Sequence, residues 1–202
     1  MSSHRDSKGQ NILARIRRHG RGWVFAASDF TDLAKEDAVY QTLSRLAKGG
    51  TIRSLAKGIY EYPRQHKALG NLTPSADAVA SRLADKLANQ LQPSGAYAAN
   101  LLGLTEQVPL RVVYLTDGPT RTIKIGNQEI VLKRTTPKNM ATAGRISGLV
   151  IQALRYIGQD GVDDQTISLL KQRLTEDDRK QLLKDVVYAP AWIAKIMREV
   201  AA

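Results

Sequence analysis

Residues 28–63 read SDFTDLAKEDAVYQTLSRLAKGGTIRSLAKGIYEYP, and this stretch decides how the rest of the chain is interpreted. Ser28 to Ala34 predicts a short helical segment, with a serine placed to cap its first free amides. A tight turn follows at Lys35-Glu36. Asp37 to Lys48 then predicts a longer helix, because Val39, Leu43 and Leu46 recur at helical spacing. Gly49-Gly50 ends it, since glycine takes the left-handed geometry of a helix C-terminus without strain. Two β-type runs come next, Thr51–Leu55 and Gly58–Tyr62, joined by Ala56-Lys57. Helix, turn, helix and hairpin in this order predict a winged helix-turn-helix.

Side-chain chemistry points the same way. If Val39, Leu43 and Leu46 face a core, the opposite face carries Ala38, Gln41, Thr42 and Arg45, with Tyr40 and Lys48 beside it and Lys35 at its entry. A helix entering the major groove needs small residues for close approach, and amides, hydroxyls and guanidinium groups to read base edges. Arg53 and Lys57 lie on the hairpin, where a wing would meet phosphate or the minor groove. The expected DNA-binding set is therefore Lys35, Tyr40, Gln41, Thr42, Arg45, Lys48, Arg53 and Lys57. A helical hairpin on a β-ribbon with merely solvated charges would have the same pattern, as would a protein-binding adaptor.

Charge supports a polyanionic partner. The 202 residues carry a net charge of +11, with 30 Lys and Arg against 19 Asp and Glu. The excess is concentrated in the first third of the chain. Cysteine is absent, so neither a disulfide framework nor a thiolate metal site is expected. The histidines, His4, His19 and His66, fall at a tail, a turn and a linker, which makes no metal site. No apolar run approaches a membrane span and the N-terminus lacks the apolar stretch of a signal peptide, so the expected location is cytoplasmic.

Upstream, Ser7–His19 predicts a first helix with Ile12, Leu13 and Ile16 as a narrow apolar stripe and Arg15, Arg17 and Arg18 facing out. Trp23-Val24-Phe25 predicts a strand pairing with the hairpin. Arg17, Arg18 and Arg21 beside it suit either phosphate contacts or a solvated rim. Downstream, residues 64–74 read as a linker rich in turn residues. Ser75 caps a helix to about Gln90, and Ala96–Leu102 forms another. Leu110–Thr116, Arg121–Ile125 and Glu129–Arg134 are strands with short connections, predicting an antiparallel meander. Arg121, Lys124, Lys133 and Arg134 would lie along it, as a second basic surface or as a solvated sheet face. The end of the chain is helical: 143–157, 164–173, 175–185 and 190–200, with Thr175 and Asp178 as a capping pair. Trp192, Ile193, Ile196 and Met197 form a docking face. The predicted class is α+β: a winged helix-turn-helix over 1–66, then a C-terminal α+β domain over 67–202 with a small antiparallel sheet and several helices.

Signatures of catalysis are missing from the sequence. There is no GxGxxG, GxxxxGK[ST], HExxH or GxSxG, and the acidic clusters at 163–164 and 176–178 sit at helix starts, where carboxylates favour the local dipole. No enzyme and no cofactor are expected.

The basic winged helix ending in GIYEYP (58–63), followed by SGAYAANLLGLTEQVPLRVVYLTDGPTRTIKIGNQEIVLKR (94–134), resembles the AbiEi-type antitoxins of bacterial type IV toxin–antitoxin, or abortive infection, systems. The resemblance rests on LLGLTEQVP at 101–109, on Thr116-Asp117-Gly118 and on the basic hairpin around Gly126. It implies a repressor of its own operon that binds inverted repeats in double-stranded operator DNA, a setting compatible with a homodimer. It further implies a second domain that counteracts a co-encoded nucleotidyltransferase-like toxin without a stable complex. By position, Gln41, Thr42, Arg45, Arg53 and Lys57 would touch DNA. The alternative is a transcriptional regulator whose C-terminal domain dimerises or senses a ligand, with no toxin. An RNA-binding use of the β-face would need stacking aromatics, and only Tyr114 offers one between 110 and 134.

Overall fold

Apolar residues at helical spacing and β-branched runs produce a mixed α+β chain. The computed structural model describes residues 3–87 and 89–202, with side chains at 8–85 and 89–202. Two compact units result: 1–88 with 123–126, and 89–122 with 127–202. No helix among the described residues is long and apolar enough to cross a membrane.

In the first unit, α1 (Ser3–His19) presents fully buried Ile12 and Ile16. It starts upstream of Ser7, whose side chain lies outside the described residues. β1 (Val24–Ala26) follows, then a 3-10 turn at Ala27–Phe30, α2 (Glu36–Lys48), β2 (Arg53–Ala56) and β3 (Ile59–Glu61). These strands form one sheet in the order β1-β3-β2, antiparallel throughout. Phe25, Phe30, Val39, Leu43, Ile52 and Tyr60 fill the space between sheet and helices. The expected helix at 28–34 is thus a single tight turn, and Ser28 is not its cap. The N-cap is Ala26, whose amide donates to the Asp29 carboxylate three residues on, at 2.9 Å.

The segment from Arg64 to Leu87 departs from expectation twice. Residues 64–74 are not a featureless linker: β4 (Gln65–His66) and β5 (Gly70–Asn71) pair as a small hairpin. The compact unit also continues past residue 66, because α3 (Ala76–Leu87) belongs to it. Val79 and Ala80 are fully buried, and Arg82 reaches the Asp29 carboxylate at 2.6 Å. Arg53 likewise donates to the Leu72 carbonyl at 2.9 Å. Contacts at this sequence separation are invisible to local pattern.

The second unit holds β6 (Leu91–Ser94), α4 (Gly95–Leu101), β7 (Arg111–Thr116), part of β8 (Arg121–Ile125) and β9 (Gln128–Arg134). The strand order is β6-β7-β9-β8, and β7 runs parallel to β9, pairing Arg111 with Glu129 through to Thr116 with Arg134. The expected antiparallel meander is therefore wrong. A short connection after β7 carries the chain past the neighbouring position, and β9 returns into the gap. β6 was also missed, because Pro93 reads against a strand; at a sheet edge a missing amide is tolerated. Helices α5 (Pro137–Met140), α6 (Ile146–Ile157), α7 (Asp164–Arg173), α8 (Glu176–Asp185) and α9 (Ala191–Ala201) complete it. Leu154, Leu170, Leu182, Ile193 and Met197 form their shared core, with Trp192 and Ile196 packed against it as expected.

Candidate nucleic-acid interface

The two faces of α2 are built by its spacing. Val39 and Leu43 are fully buried, and Leu46 and Ala47 pack against the same core. Gln41, Arg45 and Lys48 are exposed, while Ala38, Tyr40 and Thr42 are half-buried. Gly50 closes the helix at φ +70, letting the Thr51 amide return to the Leu46 carbonyl at 3.0 Å. Glu36 and Asp37 in the first turn, with Arg45 and Lys48 in the last, complement the helix dipole.

Gln41, Thr42 and Arg45 come together with Lys8, Ala34 and Ala38 around a shallow concavity of about 210 Å³. Lys8 escaped the sequence reading. Its signal was the neighbouring Gly9, a residue that weakens a helix interior unless something needs the space. A Cβ at Gly9 would lie 2.9 Å from an Arg45 guanidinium nitrogen, so Arg45 lies against bare α1 backbone. Tyr40, Gln41, Ser44, Arg45 and Lys48 line an adjoining open trough of about 550 Å³. Tyr40 also flanks the core, and burial raises the Tyr60 phenol above its ordinary value, with Tyr40 adding to the rise. Lys35 is exposed ahead of the helix, and its carbonyl accepts from the Val39 amide at 3.0 Å.

The hairpin separates its two candidates. Lys57 is exposed at the turn before Gly58. Arg53 is committed inside the unit: its Nε and Nη2 both donate to one Glu61 oxygen, at 3.0 and 2.6 Å, and Glu61 is only 1% exposed. This arginine neutralises a buried carboxylate. Arg15, expected to face out, similarly holds Asp32 at 2.6 Å and the Asp29 carbonyl at 2.7 Å. Its side-chain hydrogen bonds hold the Asp32 carboxyl below the usual range.

Arg121, Lys124, Lys133 and Arg134 are all exposed. Strand alternation sends Lys133 and Arg134 to opposite faces, and Arg121 and Lys124 likewise, so they do not form one strip. Each acidic cluster supplies one capping carboxylate, Asp163 and Asp178, and Lys180 pairs with Glu176 and Asp177. Asp163 accepts from the Thr166 hydroxyl at 2.7 Å and its amide at 2.8 Å, which lowers its pKa. Thr175 and Asp178 form the full capping box. No group of three potential metal ligands occurs among the described residues.

None of the curated proteins matches this chain. The DUF6088 model, a family of unknown function, matches residues 11–182, most of the sequence, and the chain belongs to that family.

Proposed function

We propose that the first unit is a winged helix-turn-helix that seats α2 in the major groove of operator DNA, and that the protein represses its own operon. The carrying observation is the division of α2: Val39 and Leu43 fill the core while Gln41 and Arg45 stay exposed and share one concavity with Lys8. Gln41 suits adenine and Arg45 suits guanine, each through two hydrogen bonds to a base edge. Lys8, Lys35 and Lys48 suit phosphate, and Lys57 at the hairpin turn suits the backbone beside the groove. Arg53 supports the hairpin through Glu61 instead of contacting DNA. The resemblance to AbiEi-type antitoxins extends the proposal: the second unit opposes a co-encoded nucleotidyltransferase-like toxin.

A mobility-shift assay on DNA upstream of the gene, titrated with salt, tests the DNA reading. Specific binding that Arg45→Ala weakens by about 1–3 kcal/mol supports it. An unchanged ratio of operator to random-DNA affinity rejects base reading by Arg45. Co-expression with a neighbouring nucleotidyltransferase gene tests the antitoxin reading, and growth arrest that this protein does not relieve rejects it. A dimerising regulator without a toxin is the second reading, favoured by exposed Leu183 on α8 and exposed Val187 in the 3-10 turn just after it. Light scattering on the Val187→Glu variant tests whether these side chains hold a dimer, and the co-expression assay separates a regulator without a toxin from an antitoxin.

A further inference from the structure

The opposite end of the first sheet carries a different arrangement. His19, the last residue of α1, stacks on Trp23 at 3.9 Å between ring centroids and 12° between planes. Trp23 lies 4.6 Å from Phe25 and 5.9 Å from Phe30, so a column of rings runs from the core to an exposed imidazole. Arg21 lies over the Tyr62 ring at 4.8 Å and donates to the Pro63 carbonyl at 2.9 Å. Arg64 crosses Gly22, where a Cβ would come within 2.3 Å of its Nε, and Gly22 itself sits at φ +92. Arg17 and Arg18 are exposed on the last turn of α1.

Charge here is one-sided. Neither 17–28 nor 62–76 contains an Asp or Glu, and β1–β3 pairing sets these segments side by side. Arg15, Arg53, Arg82, Arg111 and Arg145 each hold a carboxylate, whereas no ion pair involves Arg17, Arg18, Arg21 or Arg64 among the described residues. The favourable field of a helix C-terminus accounts for Arg17 and Arg18. It does not account for Arg21 and Arg64, which lie outside the helix and approach each other through backbone contacts, Arg64 donating to the Arg21 carbonyl at 3.4 Å. Guanidinium groups gathered without counter-charge suit a chain of phosphates, and an exposed ring capping a stack suits an unpaired base.

We propose that this corner binds single-stranded nucleic acid, with a base stacked on His19 and the backbone phosphates on Arg17, Arg18 and Arg64. The site is separate from the Gln41–Arg45 concavity, which Lys8 lines near the other end of α1 from His19, and from the hairpin turn at Lys57-Gly58, at the far end of β3 from Tyr62.

Fluorescence anisotropy of the full chain with labelled 12-mers, one single-stranded DNA and one RNA, tests it. The expected result is binding that quenches Trp23, with stronger RNA binding identifying RNA as the natural strand and equal binding a backbone-and-stacking mode common to both. His19→Ala should weaken it roughly 5- to 100-fold, and His19→Phe should restore it, since either ring stacks. Arg17→Ser with Arg18→Ser should flatten the salt dependence by about 1.4 in slope, roughly 0.7 for each lost contact. Gln41→Ala with Arg45→Ala should leave this binding intact. No binding at low salt, equal loss in the α2 variant, or displacement by polyglutamate as readily as by an oligonucleotide would each overturn the proposal. A His19→Ala protein with a normal melting curve and unchanged affinity would do the same.

Discussion

Replacing Arg53 with methionine should cost the first unit about 3 kcal/mol. Glu61 is 1% exposed on the central strand of its sheet, and the guanidinium supplies both charge-assisted hydrogen bonds to one of its oxygens. Removing one partner of a buried pair costs about 3–5 kcal/mol, because a desolvated charge is stranded. Arg53 is 32% exposed, so water can partly replace it, which lowers the figure. The orphaned Leu72 carbonyl adds about 1 kcal/mol. Arg53→Met with Glu61→Leu removes both charges at similar volume and should return to within about 1 kcal/mol of the parent. Urea unfolding followed by Trp23 fluorescence, with Trp192→Phe in every protein of the set, measures the four corners of this cycle. The double variant should also bind operator DNA with unchanged salt dependence, since Arg53 is assigned no phosphate. An Arg53→Met protein as stable as the parent, or a double variant whose salt slope falls by about one, would refute the reasoning and return Arg53 to the DNA surface.

Other perturbations address different parts of the chain. Gly148→Ala puts a Cβ 2.2 Å from the Gln92 amide oxygen and 2.4 Å from the Thr142 carbonyl, so overpacking of about 1–3 kcal/mol should outweigh the gain in helix propensity and lower the melting temperature. Gln92→Ala alongside it should recover only part, because the Thr142 contact is backbone; full recovery would place the whole clash at Gln92. Asp163, its pKa held low by the Thr166 side chain and then the Thr166 amide, contributes stability that is present above the unfolded value of about 3.9 and is lost as pH falls through the folded value. Asp163→Asn keeps a capping oxygen without titrating, so its denaturation midpoint should vary less between about pH 2 and 5 than the parent's; equal slopes would exclude the cap as a source. Lys57→Ala should weaken binding to all duplexes alike and reduce the salt slope by about one; an unaltered slope would exclude a phosphate contact.

Local chemistry made much of this legible. Asp164–Arg173 and Arg121–Ile125 stand where spacing and turn residues placed them, and the buried stripe of α2 follows from Val39 and Leu43 alone. The faces of the candidate site came with that stripe. Illegible features depend on distant partners. Arg53 looked like any hairpin cation until Glu61 was found beneath it, and Arg82 gave no hint of Asp29. Pro93 concealed an edge strand. Gly9 and Lys8 joined the site only when α1 lay against Arg45.

The seating of β9 beside β7 restricts how that strand can enter the sheet. Thr116 and Arg134 end their strands side by side, and residues 117–120 leave from that end, with the Thr120 hydroxyl accepting from the Arg134 amide at 3.0 Å. A bridge of four residues is too short for 68 downstream residues, folded into helices, to be drawn beneath it. The β8–β9 hairpin therefore joins the sheet sideways, as one piece, with β9 meeting β7 from Arg111 opposite Glu129 to Thr116 opposite Arg134.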